Sequence, residues 1–245
     1  MALQTRRGLT IRGWFIPGPS IEPQRPAALV VHGWGGSAID MQPVAQPLLA
    51  AGLDVLLLDA RCHGRSDDDD FTSMPAFAED VQTALRWLGS QPNIDPTRVV
   101  LLGHSVGAGA CLLVAARDET VAAVVCLASM ADPRMFMART LRSRLPGPLT
   151  TMALRFIEHT IGHPFEEFAP VRTIRHVRGP VLLLHGALDD TIPVSDAYQL
   201  RAHAPAGSSL IVLPDADHFS VDALDRIAPE IRRFLLAAGV LTTPD

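Results

Sequence analysis

The run Gly103-His104-Ser105-Val106-Gly107 joins the apolar stretch Val99-Val100-Leu101-Leu102 to the small-residue stretch Ala108-Gly109-Ala110-Cys111-Leu112-Leu113. It reads as a strand entering a helix through a serine, and it constrains the chain more than any other feature. The turn is so sharp that a side chain two residues before or after the serine would strike neighbouring backbone, which is the mechanical reason for both glycines. The serine hydroxyl is thereby pushed out of a sheet at the N-terminus of a helix, where free N–H groups and the helix dipole favour negative charge. That geometry suits a nucleophile that generates an oxyanion. The pentapeptide alone is a weak signal, since a glycine-rich turn with an incidental serine looks the same; the rest of the chain must decide.

The length of 245 residues suits one large α/β domain over residues 1–245 and is short for two of ordinary size. A net charge of -5, with 21 basic residues, all arginine, spread among 26 acidic ones, leaves no nucleic-acid footprint. The odd count of cysteines, Cys62, Cys111 and Cys126, with two in apolar surroundings, predicts reduced thiols. No apolar signal segment follows Arg6 and Arg7, and no apolar run approaches about 18 residues, so a soluble, cytoplasmic protein is expected.

Residues 9–16 alternate as an early antiparallel strand before Pro17-Gly18-Pro19. Short apolar runs follow at Ala28–Val31, Val55–Leu58, Val99–Leu102, Val121–Leu127, Val181–Leu184 and Leu210–Leu213. They are continuously apolar, as strands covered on both faces must be. Helices are predicted near 40–51, 75–90, 106–116, 193–204 and 222–238, and the alternation implies a doubly wound, mostly parallel sheet of the α/β class. One segment breaks the rhythm. About fifty residues separate the strands at 121–127 and 181–184, far more than a usual crossover, and residues 130–179 are predicted to form an inserted helical cap rich in arginine.

Ligand sites in such sheets lie beyond the carboxyl ends of the strands. Strand 28–31 exits into His32-Gly33-Trp34-Gly35-Gly36, a bend able to present the Trp34 N–H beside the Val106 N–H as a two-donor oxyanion hole. Strand 181–184 exits into His185-Gly186-Ala187-Leu188-Asp189-Asp190, with Pro193 placed as the first residue of the next helix. Strand 210–213 exits into Asp217-His218-Phe219. Nucleophile, acid and base then follow in the order Ser105, Asp189, His218. A serine hydroxyl is a poor nucleophile at neutral pH, so His218 must take its proton and later return it, while Asp189 fixes the imidazole tautomer and stabilises the imidazolium. Asp190 is the rival acid; Asp189 is preferred as the more strand-proximal.

The other histidines receive structural readings, His104 with its ring directed away from the chemistry, and none has metal-like spacing. No metal or cofactor is expected. The polar exit Asp59-Ala60-Arg61-Cys62-His63-Gly64-Arg65-Ser66 reads as a loop braced by an arginine–carboxylate pair, and Asp67–Asp70 as a solvated charge run.

Taken jointly, His32-Gly33-Trp34-Gly35-Gly36, Asp59-x-Arg61-x-His63-Gly64-x-Ser66, the Ser105 pentapeptide, His185-Gly186-x-x-Asp189 and Asp217-His218-Phe219 resemble the α/β-hydrolase superfamily over nearly the whole chain. The cadence is similar to small bacterial serine esterases of the BEM46-like and prolyl-oligopeptidase-like groups. The resemblance implies an α/β-hydrolase fold with a short helical cap inserted after the sixth strand, Ser105 as nucleophile, Asp189 as acid, His218 as base, and Trp34 and Val106 as oxyanion donors. Serine at 105 argues against the dehalogenase and epoxide-hydrolase branches, which carry a carboxylate there. Cys62 departs from the pattern, because relatives commonly have glycine at that position, and this puts the conformation of its loop in question. The expected reaction is hydrolysis of a small-molecule carboxylic ester of small to medium acyl chain through an acyl-enzyme; thioesterase, lactonase, acyltransferase and peptidase chemistry share the machinery, and a non-catalytic binding member of the fold is a further alternative. For the cap, the plainer reading is that its arginines face water, and it is preferred to a membrane contact in which they attract an anionic substrate or lipid surface.

Overall fold

The computed structural model describes residues 1–220 and 226–242. Eight strands form one sheet: β1 (Ala2–Gln4), β2 (Thr10–Ile16), β3 (Arg25–Val31), β4 (Asp54–Asp59), β5 (Ile94–His104), β6 (Val121–Leu127), β7 (Val181–Gly186) and β8 (Ser209–Leu213). Their spatial order is β1-β2-β4-β3-β5-β6-β7-β8. The first two strands run antiparallel, and every pairing from β4 to β8 is parallel. The prediction missed β1, which is three residues long and too short to display a period. Strand β5 begins five residues earlier than its apolar run because Ile94 pairs with Arg25 across a register shift.

Side-chain alternation divides each central strand between two cores. Leu29 and Val31 face a layer with α2 (Met74–Gly89), α3 (Val106–Ala115) and α8 (Val194–His203), whereas Ala28 and Val30 face α1 (Gln42–Ala50) and α9 (Ala228–Ala237). The continuous apolar runs are explained by this double cover. Strand β8 is the exception: all five residues are only half-buried, because it forms the sheet edge and lacks a neighbour on one side. Pro193 also differs from expectation. It holds extended backbone (ψ 144°) as the cap of α8, one position before the helical residues. The predicted helix at 222–238 is observed from Ala228, and residues 222–225 lie outside the described residues.

Between β6 and β7 the chain forms α4 (Pro133–Arg142), α5 (Gly147–Ile161), α6 (Phe165–Phe168) and α7 (Pro170–Thr173). The Asp132 carboxylate accepts the Arg134 and Met135 N–H groups and starts α4. Gly162, at φ 81°, closes α5 in the left-handed conformation that glycine adopts without steric cost. Helix α6 is anchored by buried Phe165 and Phe168 and α7 by buried Pro170 and Thr173, while α4 and α5 keep few fully buried side chains. Among the described residues no helix is long and apolar enough to cross a membrane.

Candidate active site

The β5 exit has the geometry its glycines require. A Cβ at Gly103 would lie 2.4 Å from the Gly107 carbonyl, and one at Gly107 would lie 2.4 Å from the His32 carbonyl oxygen. Both distances are prohibitive, so the strand and helix touch backbone to backbone. Ser105 occupies the turn at φ 53° and ψ -117°, a conformation costing about 1–3 kcal/mol that persists only because its surroundings leave no other. Its N–H donates to the Leu127 carbonyl at 2.8 Å, fixing the turn to the end of β6.

Asp189 and His218 arrive from the exits of β7 and β8, on the same rim. The His218 ring stands between them. Its Nδ1–H donates to Asp189 Oδ2 at 2.8 Å, which leaves Nε2 to accept from the Ser105 hydroxyl at 3.1 Å. All three side chains are buried. Asp190, the rival carboxylate, is exposed and among the described residues accepts only from the neighbouring Thr191 hydroxyl, at 3.3 Å. Burial alone would raise the Asp189 carboxyl pKa. His185, His218 and the Ile192 N–H outweigh that penalty and hold it well below the usual carboxylate range, so the group is a firm anion at neutral pH.

Two histidines read as structural serve this array directly. His185 Nε2 donates to the Ile192 carbonyl at 2.8 Å and lies 3.4 Å from Asp189 Oδ2, so a second imidazole edge packs against the same carboxylate. His104 Nε2 donates to the His218 carbonyl at 2.8 Å and holds the backbone of His218. The His104 ring is therefore turned toward the site and braces it. Burial lowers its pKa to about 4 against the pull of that hydrogen bond, so the ring is neutral. Local sequence gave one available signal for His185: it stands four residues before Asp189 at the strand exit. The contact of His104 crosses 114 positions and has no local signature.

The β3 exit lies against the serine, since a Cβ at Gly33 would meet the Ser105 Cβ at 3.2 Å. Among the described residues, neither the Trp34 N–H nor the Val106 N–H donates to another group, leaving both free for a ligand. The loop is tied to the β4 exit by the Gly35 N–H, which donates to His63 Nε2 at 3.1 Å. At that exit Arg61 is fully buried against Asp80 (2.7 Å) and also meets Glu79 (2.9 Å) and Asp69 (3.2 Å). The expected bracing pair is present, and the acidic run differs from its reading: Asp69 is drawn in between Arg7 and Arg61, while Asp67, Asp68 and Asp70 stay exposed. Cys62 resolves the question posed by its departure from glycine. It takes φ 62°, the conformation glycine would adopt freely, and its thiol bridges the Asp69 N–H and carbonyl.

Ser105 and His218 open into a cavity of about 590 Å³. Its walls are predominantly apolar: Met130, Phe136, Met137, Ile157, Ile161, Phe165 and Phe168 from the segment between β6 and β7, with Phe71 and Met74 opposite. The buried hydroxyl oxygen of Thr72, also on the wall, has no hydrogen-bond partner among the described residues and is a polar group that a bound oxygen can satisfy.

A doubly wound α/β sheet, a serine on a strained strand-to-helix turn and a His–Asp pair behind it define the class of protein to which this chain conforms. A model described as the Alpha/beta hydrolase family matches residues 28–230, and the chain belongs to that family. An uncharacterised protein of Mycobacterium tuberculosis is 28% identical over 244 residues, covering 98% of this chain and 80% of the relative. A polyketide transferase of Stachybotrys chlorohalonatus is 33% identical over 132 residues, 53% of this chain and 43% of that protein. Among solved structures, an esterase of Pyrococcus furiosus superposes with a TM-score of 0.72 at 20% identity, covering 96% of this chain and 90% of its own.

Proposed function

We propose that the protein is a serine-dependent carboxylesterase for small-molecule esters of small to medium acyl chain. The observation that carries this reading is the continuous Asp189–His218–Ser105 relay, with links of 2.8 and 3.1 Å, at the wall of an apolar cavity. In the proposed mechanism Ser105 Oγ attacks the ester carbonyl while His218 Nε2 takes its proton. The Trp34 and Val106 N–H groups receive the developing oxyanion, where preorganised donors are worth most. His218 then protonates the departing alcohol, and the acyl group remains on Ser105. Water deprotonated by His218 attacks the acyl-enzyme and releases the acid. Asp189 stays ionised throughout and stabilises the imidazolium.

Within this proposal residues 1–245 form one catalytic domain and residues 130–179 cap it. The apolar wall supplied by α4 to α6 suits an acyl chain, and the cavity volume falls within the range of ordinary small-molecule sites. Three free thiols, two of them buried, suit the reducing cytoplasm as its compartment. The transferase relative favours a second reading in which an alcohol replaces water as acyl acceptor.

A fluorophosphonate probe is expected to label the wild type and not Ser105→Ala. On a panel of chromogenic esters of increasing acyl length the variant is expected to lose about 10⁴- to 10⁶-fold in kcat. Equal labelling or equal hydrolysis by Ser105→Ala removes the serine mechanism. An added alcohol that diverts the acyl group into a new ester, in preference to free acid, favours the transferase reading.

A further inference from the structure

Four exposed large apolar side chains, Trp34, Phe71, Phe156 and Phe219, line the cavity, and one of them continues a stripe along α5. On α5, Leu149, Met152 and Phe156 are 49%, 67% and 69% exposed, and their i, i+3, i+7 spacing puts them on one face. That face is opposite the one holding buried Thr150 and Leu154, so the helix is apolar on two sides. An ordinary helix lying on a core has only the inner stripe. Phe156 also lines the cavity, as do the exposed rings of Trp34, Phe71 and Phe219, so the outer stripe is continuous with the cavity mouth.

The charge of this segment is equally one-sided. Between Pro133 and Ile157 there are five arginines and no acidic residue, in a chain whose net charge is -5. Arg134 pairs with Glu158 at 3.2 Å. Arg139, Arg142, Arg144 and Arg155 are exposed and have no ion-pair partner among the described residues. Met135, Arg139 and Arg142 share one face of α4 at i, i+4, i+7, which again combines an exposed large apolar side chain with cations.

We propose that α4 and α5 form a surface that docks the protein on an anionic lipid bilayer, the arginines meeting headgroups while Leu149, Met152 and Phe156 enter the acyl boundary and bring the cavity mouth to the membrane. A symmetric contact with a second copy through this face would set arginine against arginine, and an acidic soluble partner would leave the apolar stripe unsatisfied. An anionic bilayer satisfies both features at once. The surface is a property of the exposed helices and does not depend on the esterase reading, although it explains how an apolar ester reaches Ser105.

The test is co-sedimentation with vesicles of phosphatidylcholine alone and of phosphatidylcholine mixed with phosphatidylglycerol. Retention on the mixed vesicles, weak retention on the neutral ones and release by added salt are expected. The triple variant Arg139→Gln, Arg142→Gln, Arg155→Gln should lower the partition coefficient about a hundredfold, from about fivefold per arginine. Leu149→Ser with Met152→Ser, neither of which lines the cavity, should also weaken retention while leaving circular dichroism and hydrolysis of a soluble short-chain ester unchanged. Ser105→Ala should bind vesicles as the wild type does, which separates failure of this proposal from failure of the serine mechanism. Equal retention on both vesicle types, absence from both, or retention unchanged in the arginine variant overturns it, as does a salt-resistant dimer that the Leu149/Met152 variant dissociates.

Discussion

The exits of β4 and β5 are two answers to one steric problem. Each holds a non-glycine residue at positive φ, Cys62 at 62° and Ser105 at 53°, and each must be kept there by its surroundings. At β5 the restraint is close packing, with glycine backbones in contact at 103 and 107 and no ion pair involved. At β4 it is polar. The Asp59 carboxylate accepts the Ala38 and Arg65 N–H groups at 2.7 and 2.8 Å, and buried Arg61 gathers Asp69, Glu79 and Asp80. Packing restraints fail through collision, whereas charge networks fail through orphaned charge, so the two turns should respond to different changes.

The largest effect is expected at the packed turn. Gly107→Ala places a Cβ 2.4 Å from the His32 carbonyl oxygen and 2.8 Å from that of Val31, both backbone atoms with nothing flexible to yield. A loss of about 5 kcal/mol is expected, enough to unfold a domain at the low end of ordinary stability, and it should register as insoluble expression or a collapsed urea midpoint. A soluble variant with an unchanged midpoint would show that the turn is not locked by sterics. At the charged turn, Arg61→Met leaves Asp80 buried and unpaired, at a cost of about 3–5 kcal/mol in the same titration. A negligible shift would mean that water or rearrangement satisfies Asp80 and that the network holds nothing.

Acid should find the packed turn through its histidines. Burial lowers the His104 and His32 pKa values from 6.5 to about 4, so between those limits the unfolded chain binds protons that the folded chain refuses. Stability is therefore complete above pH 6.5 and falls as pH drops toward 4, by up to about 3 kcal/mol for each ring. His104→Gln can keep a donor toward the His218 carbonyl while removing one titration, and its stability curve over this window should be measurably flatter than that of the wild type. An identical slope would mean that the ring is not the group refusing the proton. The smallest effect is expected at Cys62→Gly, which relieves the positive φ and gives up two weak thiol contacts with Asp69. A gain of about 0.5–1 kcal/mol in denaturant unfolding is expected; destabilisation would show that the thiol bridge outweighs the strain.

Much of this was legible in the sequence where the cause is local. The elbow is written in one pentapeptide, although the backbone that Gly107 must clear is that of Val31 and His32 at the end of β3, and the parallel sheet is written in apolar runs of strand length. Reading failed where the cause is a neighbour far along the chain. Strand β8 has ordinary strand composition, and only its edge position leaves it half-exposed. Asp69 belongs to an unbroken acidic run and differs from Asp68 only because Arg7 and Arg61 converge on it.

By itself, then, the sequence determined the fold class, the strained serine turn and the chain order of serine, aspartate and histidine, because each is written in residues adjacent along the backbone. Tertiary structure alone decided that the His218 ring spans from Asp189 to Ser105, that His104 and His185 brace that array, how large the apolar cavity is, and which side of α5 faces outward. Those contacts depend on loops brought together by the order of strands in the sheet, where a shift of an ångström separates a hydrogen bond from none, and no local pattern of residue types encodes such a distance.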